Sequence, residues 1–161
     1  MSTAYIALGS NLENPIAQVK QAIQDFKKIP NTHVIKASSL YQTAPIDCVE
    51  AAPDFINAVV EVDTLLSPAE LLAALLVVEN KAGRQRPFPN APRVLDCDLL
   101  LYENEEINTS QLTLPHPRMH TRGFVLLPLF EIAPHLSLAN HGKIALLINE
   151  QLLTGIKKIN A

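Results

Sequence analysis

Tryptophan is absent from the 161-residue sequence, the other aromatics amount to three tyrosines and five phenylalanines, and the formal charge is −3. An RNA-binding sheet needs exposed aromatics on its central strands with basic flanks, so this balance argues against that class and against a general nucleic-acid binder. Only two cysteines occur, Cys48 in a polar, proline-bordered stretch and Cys97 in an apolar run, which excludes a disulfide framework and a Cys-type zinc site and predicts two reduced thiols. No stretch reaches the roughly 18 consecutive apolar residues of a membrane span. The start Met-Ser-Thr-Ala-Tyr-Ile lacks the basic region and apolar run of a signal peptide, so a cytoplasmic protein with no membrane partner is expected. The five glycines, Gly9, Gly83, Gly123, Gly142 and Gly155, form neither Gly-x-x-x-x-Gly-Lys nor the dinucleotide fingerprint. Any phosphate must then be held by side chains and metal.

The chain is 48% hydrophobic, and its length suits one domain over residues 1–161 with a core that needs no staples. Residues 4–8 read as a short buried strand closed by Gly9-Ser10-Asn11, and Asn14-Pro15 as the N-cap and first-turn proline of a helix. Ile16, Val19, Ile23 and Phe26 recur at helical spacing, and Pro30-Asn31 ends that segment. Strands are predicted over residues 33–42 and 54–64. Their connection is longer than a hairpin needs, which makes it a candidate binding loop.

Ser67-Pro68-Ala69-Glu70 is a capping box, and the apolar run over residues 71–78 predicts a deeply packed second helix ending at Ala82-Gly83. Pro87, Pro89 and Pro92 stiffen an arginine-bearing loop over residues 84–93. A strand over residues 94–102 and a helix over 122–132, interrupted or restarted at Pro128, follow. The order β-α-β-β-α-β is that of an α+β ferredoxin-like fold, an antiparallel sheet with two helices on one face, to which the last third adds a helix and small elements.

All five arginines, Arg84, Arg86, Arg93, Arg118 and Arg122, lie in the central-to-late window together with His116 and His120. Guanidinium forks suit phosphate oxygens, although solvated surface ion pairs would explain such a cluster standing alone. Within it, Arg93-Val94-Leu95-Asp96-Cys97-Asp98 sets two carboxylates two apart on a strand, hence on one face, with Leu95, Cys97, Leu99 and Leu101 predicted on the other. Adjacent carboxylates repel unless a cation neutralises them, and magnesium is typically held by one or two carboxylates together with substrate phosphates. A solvated strand face explains an isolated Asp-x-Asp equally well; Arg93 three residues before Asp96, and Arg84 and Arg86 on the preceding loop, favour the metal and phosphate. Phe55 and Asn57 share a strand face that would serve a flat, hydrogen-bonding heterocycle, though a strand phenylalanine more commonly belongs to a core.

Four separated motifs carry a resemblance. They are Ala4-Tyr5-Ile6-Ala7-Leu8-Gly9-Ser10-Asn11-Leu12, Pro53-Asp54-Phe55-Ile56-Asn57-Ala58, Arg93-Val94-Leu95-Asp96-Cys97-Asp98, and Leu114-Pro115-His116-Pro117-Arg118-Met119 running on to Arg122-Gly123-Phe124-Val125-Leu126. Over nearly its whole length the chain resembles the 6-hydroxymethyl-7,8-dihydropterin pyrophosphokinases. The resemblance implies a magnesium-dependent transfer of diphosphate from ATP to the pterin hydroxymethyl group, a step of tetrahydrofolate biosynthesis; a monomer is expected. It implies that Asp96 and Asp98 hold two Mg2+ ions and act with Arg84 and Arg93 as the catalytic set. Arg84, Arg93, His116 and Arg122 would contact the triphosphate of ATP, and Thr113 would lie near the ribose. Thr43, Pro45, Ile46, Phe55, Asn57 and Phe124 would form the pterin pocket, the ring lying between Phe55 and Phe124. The loops over residues 44–53 and 84–93 would be mobile covers. Where many relatives carry a basic residue, tryptophan and Gly-Pro-Arg, this chain reads Phe88-Pro89-Asn90-Ala91-Pro92-Arg93, and Cys97 replaces a branched aliphatic residue. A non-catalytic nucleotide- or pterin-binding module of the same fold is the alternative.

Overall fold

A computed structural model describes residues 1–11, 14–43, 54–82 and 95–159. In chain order these form β1 (Ser2–Ser10), α1 (Pro15–Phe26), β2 (Thr32–Ala37), β3 (Leu40–Thr43), β4 (Phe55–Thr64), α2 (Pro68–Lys81) and β5 (Asp96–Tyr102). The last third adds β6 (Ile107–Asn108), β7 (Thr113–Leu114), α3 (Gly123–Ile132), β8 (Ser137–Leu138), β9 (Gly142–Lys143), α4 (Ile144–Leu147), α5 (Glu150–Leu153) and β10 (Ile156–Ile159). The main sheet is antiparallel, ordered β10-β3-β4-β1-β5, with β2 also on β4.

The predicted single strand over residues 33–42 is two strands. Ser38 and Ser39 separate β2 from β3, and the break is held by polar groups: Ser38 N–H donates to Val59 O at 2.9 Å, and Val59 N–H donates to Ser38 Oγ at 2.9 Å. A hydroxyl that satisfies a ladder N–H lets the strand bend without leaving that donor unpaired.

Two apolar layers flank the sheet. Ile6, Leu8, Ile56, Ala58, Val60 and Val62 face Val19 and Phe26 of α1 and Leu71 and Leu75 of α2. The capping box fixes the start of α2: Ser67 Oγ accepts from Glu70 N–H at 3.1 Å, and Ser67 N–H donates to Glu70 Oε1 at 2.9 Å. Burial of α2 is one-sided, since Val77 is 66% and Leu76 42% exposed, so the deep packing expected all round occurs on the Leu71, Leu75 and Val78 side only. Asn14 does not cap α1 with its side chain. It stands in the left-handed region (φ 62°), which asparagine tolerates better than most residues.

The helix of the last third covers the opposite face, where Val125, Leu126, Leu129 and Ile132 of α3 pack with Tyr5, Val59 and Leu100. Pro128 does not interrupt it. A proline removes one interior hydrogen bond, and the close packing of this short helix on the sheet outweighs that loss. Glu131 ties α3 to β3, its carboxylate accepting from Tyr41 Oη at 2.6 Å and from Ser39 N–H at 3.0 Å.

The β1–β5 ladder carries a bulge: Ile6 faces Leu99 and Tyr5 faces Leu101, so Leu100 is the additional residue. Leu101 therefore joins the α3 layer and Tyr102 the α1/α2 layer, correcting the strict alternation expected beyond Leu99. Asp96 and Asp98 lie before the bulge and keep their common face. Among the described residues no helix is long and apolar enough to cross a membrane.

Candidate active site

Directly opposed residues in antiparallel ladders project to the same face. Gly9 opposes Asn57 on one side and Asp96 on the other; Ala7 likewise stands between Val59 and Asp98. Asp96, Asp98 and Asn57 thus share the α3 side of the sheet with two small residues between them. With neighbouring strands about 4.8 Å apart, the Cα atoms of Asp96 and Asn57 stand roughly 10 Å apart. A floor of glycine and alanine between polar walls makes a trough. The same face of β4 carries Phe55.

α3 roofs the trough to form a cavity of about 650 Å³. Asp96, Asp98, His116 and Arg122 line one part of it, and Thr43, Phe55, Asn57 and Phe124 another. These eight residues predicted for the site are thus gathered at one cavity. Thr113 lies on β7 and is not among its lining residues. Arg84, Arg93, Pro45 and Ile46, and the expected covers over residues 44–53 and 84–93, lie outside the described residues.

Local bonding orients the polar groups. Asn57 is buried and donates from Nδ2 to Thr43 Oγ1 at 3.0 Å, while its Oδ1 lies where a Cβ on Gly9 would approach to 3.0 Å. The absent side chain at Gly9 makes room for the amide. His116 is fastened to β5 by its N–H, which donates to Leu100 O at 2.9 Å, and its Nδ1 accepts from Arg118 N–H at 3.2 Å. That bond assigns the neutral tautomer with the proton on Nε2, leaving a ring N–H donor. Burial lowers the His116 pKa and outweighs the upward pull of Asp98; Arg122 and Arg118 add to the lowering.

Arg122 immediately precedes α3, and its guanidinium carbon lies 5.7 Å from the centroid of the Phe124 ring, a cation–π pairing between the two parts of the cavity. The N-terminal end of α3 faces the cavity beside Arg122, and a helix N-terminus favours anions. Asp98 is exposed and Asp96 half-buried. Among the described residues no three acidic, histidine or cysteine side chains group as metal ligands. A carboxylate pair alone fits a hard cation that completes its shell with water and phosphate oxygens, as magnesium does, and suits zinc poorly.

Sequence reasoning missed Thr121 and the stretch Gln151, Leu152, Thr154, Gly155 and Ile156, all of which line the cavity. The available signal was Gly155 before Ile156-Lys157-Lys158-Ile159, a turn residue ahead of a short β-branched segment.

An α+β sheet whose α3-covered face joins paired carboxylates, a histidine and an arginine to an aromatic and amide recess has the chemistry to suit a polyanion next to a flat polar molecule. The description "7,8-dihydro-6-hydroxymethylpterin-pyrophosphokinase (HPPK)" matches residues 5–134. The chain belongs to that family. It is 45% identical over 150 residues to the 2-amino-4-hydroxy-6-hydroxymethyldihydropteridine pyrophosphokinase of Haemophilus influenzae, covering 93% of each chain. With the protein of the same name from Bacillus subtilis it shares 44% over 129 residues, 80% of this chain and 77% of the relative. Among solved structures, the Plasmodium falciparum "HPPK-DHPS A437G with STZ-DHP" superposes with a TM-score of 0.78 at 14% identity, over 99% of this chain and 49% of that one. That likeness is one of fold, and the chain spans about half the length of the solved chain.

Proposed function

We propose that the chain transfers the β,γ-diphosphate of ATP to the hydroxymethyl oxygen of 6-hydroxymethyl-7,8-dihydropterin, a step of folate biosynthesis, and releases AMP. The observation that carries this reading is the single cavity that joins Asp96, Asp98, His116 and Arg122 to Thr43, Phe55, Asn57 and Phe124. Two-substrate transfer needs both reactants in one water-poor space with the reacting atoms adjacent. The four-strand core order β5-β1-β4-β2/β3, all antiparallel, supports the ferredoxin-like reading of the fold. One domain over residues 1–161, acting as a cytoplasmic monomer, belongs to the same proposal.

In this reading the pterin ring lies between Phe55 and Phe124. Asn57, set by Thr43 and the bare Gly9, offers the ring edge an acceptor and a donor. Pro45 and Ile46 are assigned to the pterin as well. The hydroxymethyl oxygen gives up its proton to solvent and forms its bond to the β-phosphorus as the bond from that phosphorus to the α,β-bridging oxygen breaks, and AMP departs with the electron pair. His116 donates Nε2–H to a phosphate oxygen, and Arg122 neutralises charge while stacked on Phe124. Arg84 and Arg93 add to the clamp, with Thr113 toward the ribose. Asp96 and Asp98 would hold two magnesium ions, which would supply positive charge to offset that of the phosphates.

The test is a one-pot reaction of the purified protein with ATP, magnesium and 6-hydroxymethyl-7,8-dihydropterin, with products followed by mass spectrometry and a chelator control. AMP and pterin diphosphate in equal amounts, lost on chelation, are expected. ADP as the nucleotide product would refute diphosphate transfer. Binding of both ligands without turnover would point to the non-catalytic module instead.

A further inference from the structure

We infer that Ile156, on the C-terminal strand β10, sets the fit of the heterocyclic substrate. The inference rests on the functional reading above and deepens it.

Ile156 opposes Thr43, and Thr43 in turn opposes Phe55. The three side chains therefore form one row across three adjacent strands, on the cavity face. Ile156 ends that row, because β10 is one edge of the sheet and β5, with the aspartates, is the other. Its side chain also reaches the roof. A Cβ placed on Gly123, the first residue of α3 and the neighbour of Phe124, would come within 3.0 Å of Ile156 Cδ1. Ile156 thus spans from the Phe55–Thr43 row to the start of the helix that carries Phe124, and among the described residues it stands at the end of the cavity farthest from Asp96.

The backbone holds this wall in place. Gly155, at φ 79°, turns the chain from α5 into β10, and the Leu152 carbonyl lies so close to Gly123 that a Cβ there would approach it to 2.1 Å. Both residues lie beyond residue 134, where the family match ends. A flat molecule stacked on Phe55 with its hydroxymethyl arm toward the aspartates presents its opposite edge to Ile156. A β-branched apolar side chain at that point excludes extra carbon on that edge, and an apolar contact of this size discriminates substrates by about tenfold or more.

The experiment compares 6-hydroxymethyl-7,8-dihydropterin with its 2-methylamino analogue, which adds one carbon to the distal ring edge, in the wild type, Ile156→Ala, Ile156→Val and Ile159→Ala. Ile159 packs on the opposite layer of the sheet, so its truncation loosens β10 without touching the cavity. For Ile156→Ala, the ratio of kcat/KM for the analogue to that for the natural substrate should rise on the order of tenfold, with KM for ATP unchanged. Ile156→Val should shift the ratio less, in the same direction. An unchanged ratio in Ile156→Ala, or an equal shift in Ile159→Ala, would overturn the inference. Absence of turnover of the natural substrate by the wild type would instead refute the functional reading beneath it.

Discussion

Replacing Gly9 with alanine separates the folding role of β1 from its role in the site. The new Cβ would stand 3.0 Å from Asn57 Oδ1 and 4.0 Å from Ile56 O. An ordinary carbon–oxygen contact lies at about 3.3 Å or more, so the amide must retreat by a few tenths of an ångström. The obstacle is the end of a side chain, so it is able to turn. Turning it disturbs the Asn57–Thr43 hydrogen bond, worth about 0.5–1.5 kcal/mol, while alanine in a strand gains about 0.5–1 kcal/mol over glycine in backbone entropy. The two nearly cancel, and stability should change by no more than about 1 kcal/mol. The heterocycle has no such compensation. Loss of one or two correctly aimed amide contacts, each costing about 1–3 kcal/mol when the partner group is left unpaired, raises the pterin KM by roughly 10- to 100-fold and leaves that for ATP near its wild-type value. Thermal unfolding and steady-state kinetics with each substrate varied in turn provide the measurement. Gly9→Ala combined with Asn57→Ala should be no worse than Asn57→Ala alone, because both act through one amide. A pterin KM within about twofold of wild type would refute the steric chain from Gly9 through Asn57 to the ring.

Gly123→Ala should behave oppositely, since the carbonyl it meets at 2.1 Å is backbone and cannot rotate away; a loss of about 1–3 kcal/mol in denaturant unfolding is expected, and unchanged stability would mean that α5 yields freely. Asp98→Asn, at an exposed position, should reduce turnover on the order of 10²-fold or more while unfolding stays within about 0.5 kcal/mol of wild type; full activity would remove Asp98 from the phosphate site. Glu131 gives a pH prediction. Burial works to raise its pKa, but the hydrogen bonds from Tyr41 and Ser39 and the charge of Lys158 together hold it below the ordinary value of 4.5. A depressed carboxylate contributes stability that is full above the unfolded-state value and lost as pH falls through the folded one. Glu131→Gln should therefore be less stable than wild type at neutral pH and lose less on acidification below about pH 4.5, and parallel pH profiles would contradict this.

Much of the site was legible because its residues sit in locally self-sufficient patterns. Asp96 and Asp98 share a face by strand alternation alone, and Ser67 and Glu70 start α2 by a contact within one turn. The features that escaped depend on partners far along the chain. Ser38 and Ser39 break a strand only because Val59 lies opposite, and no local signal marks Leu100 as a bulge. Leu76 and Val77 looked buried since periodicity says nothing when a helix is apolar all round. The C-terminal wall was missed for a related reason: Ile156-Lys157-Lys158-Ile159 is weakly patterned, and it becomes a strand by joining the free edge of β3.

The bulge at Leu100 has a bearing on how such a chain tolerates changes of length. Removing that one residue would leave a regular ladder in which Leu99 still opposes Ile6 and Leu101 still opposes Tyr5, so every other side chain of β5 would keep its face. A single-residue gap there is silent for the pairing register, though it takes the buried Leu100 side chain from the layer under α3. It is not silent for the site, because the Leu100 carbonyl holds His116 in place. Shortening the strand by one residue would spare both aspartates and take from His116 its backbone anchor, so length at this point is held by the phosphate side of the cavity as well as by the packing under α3.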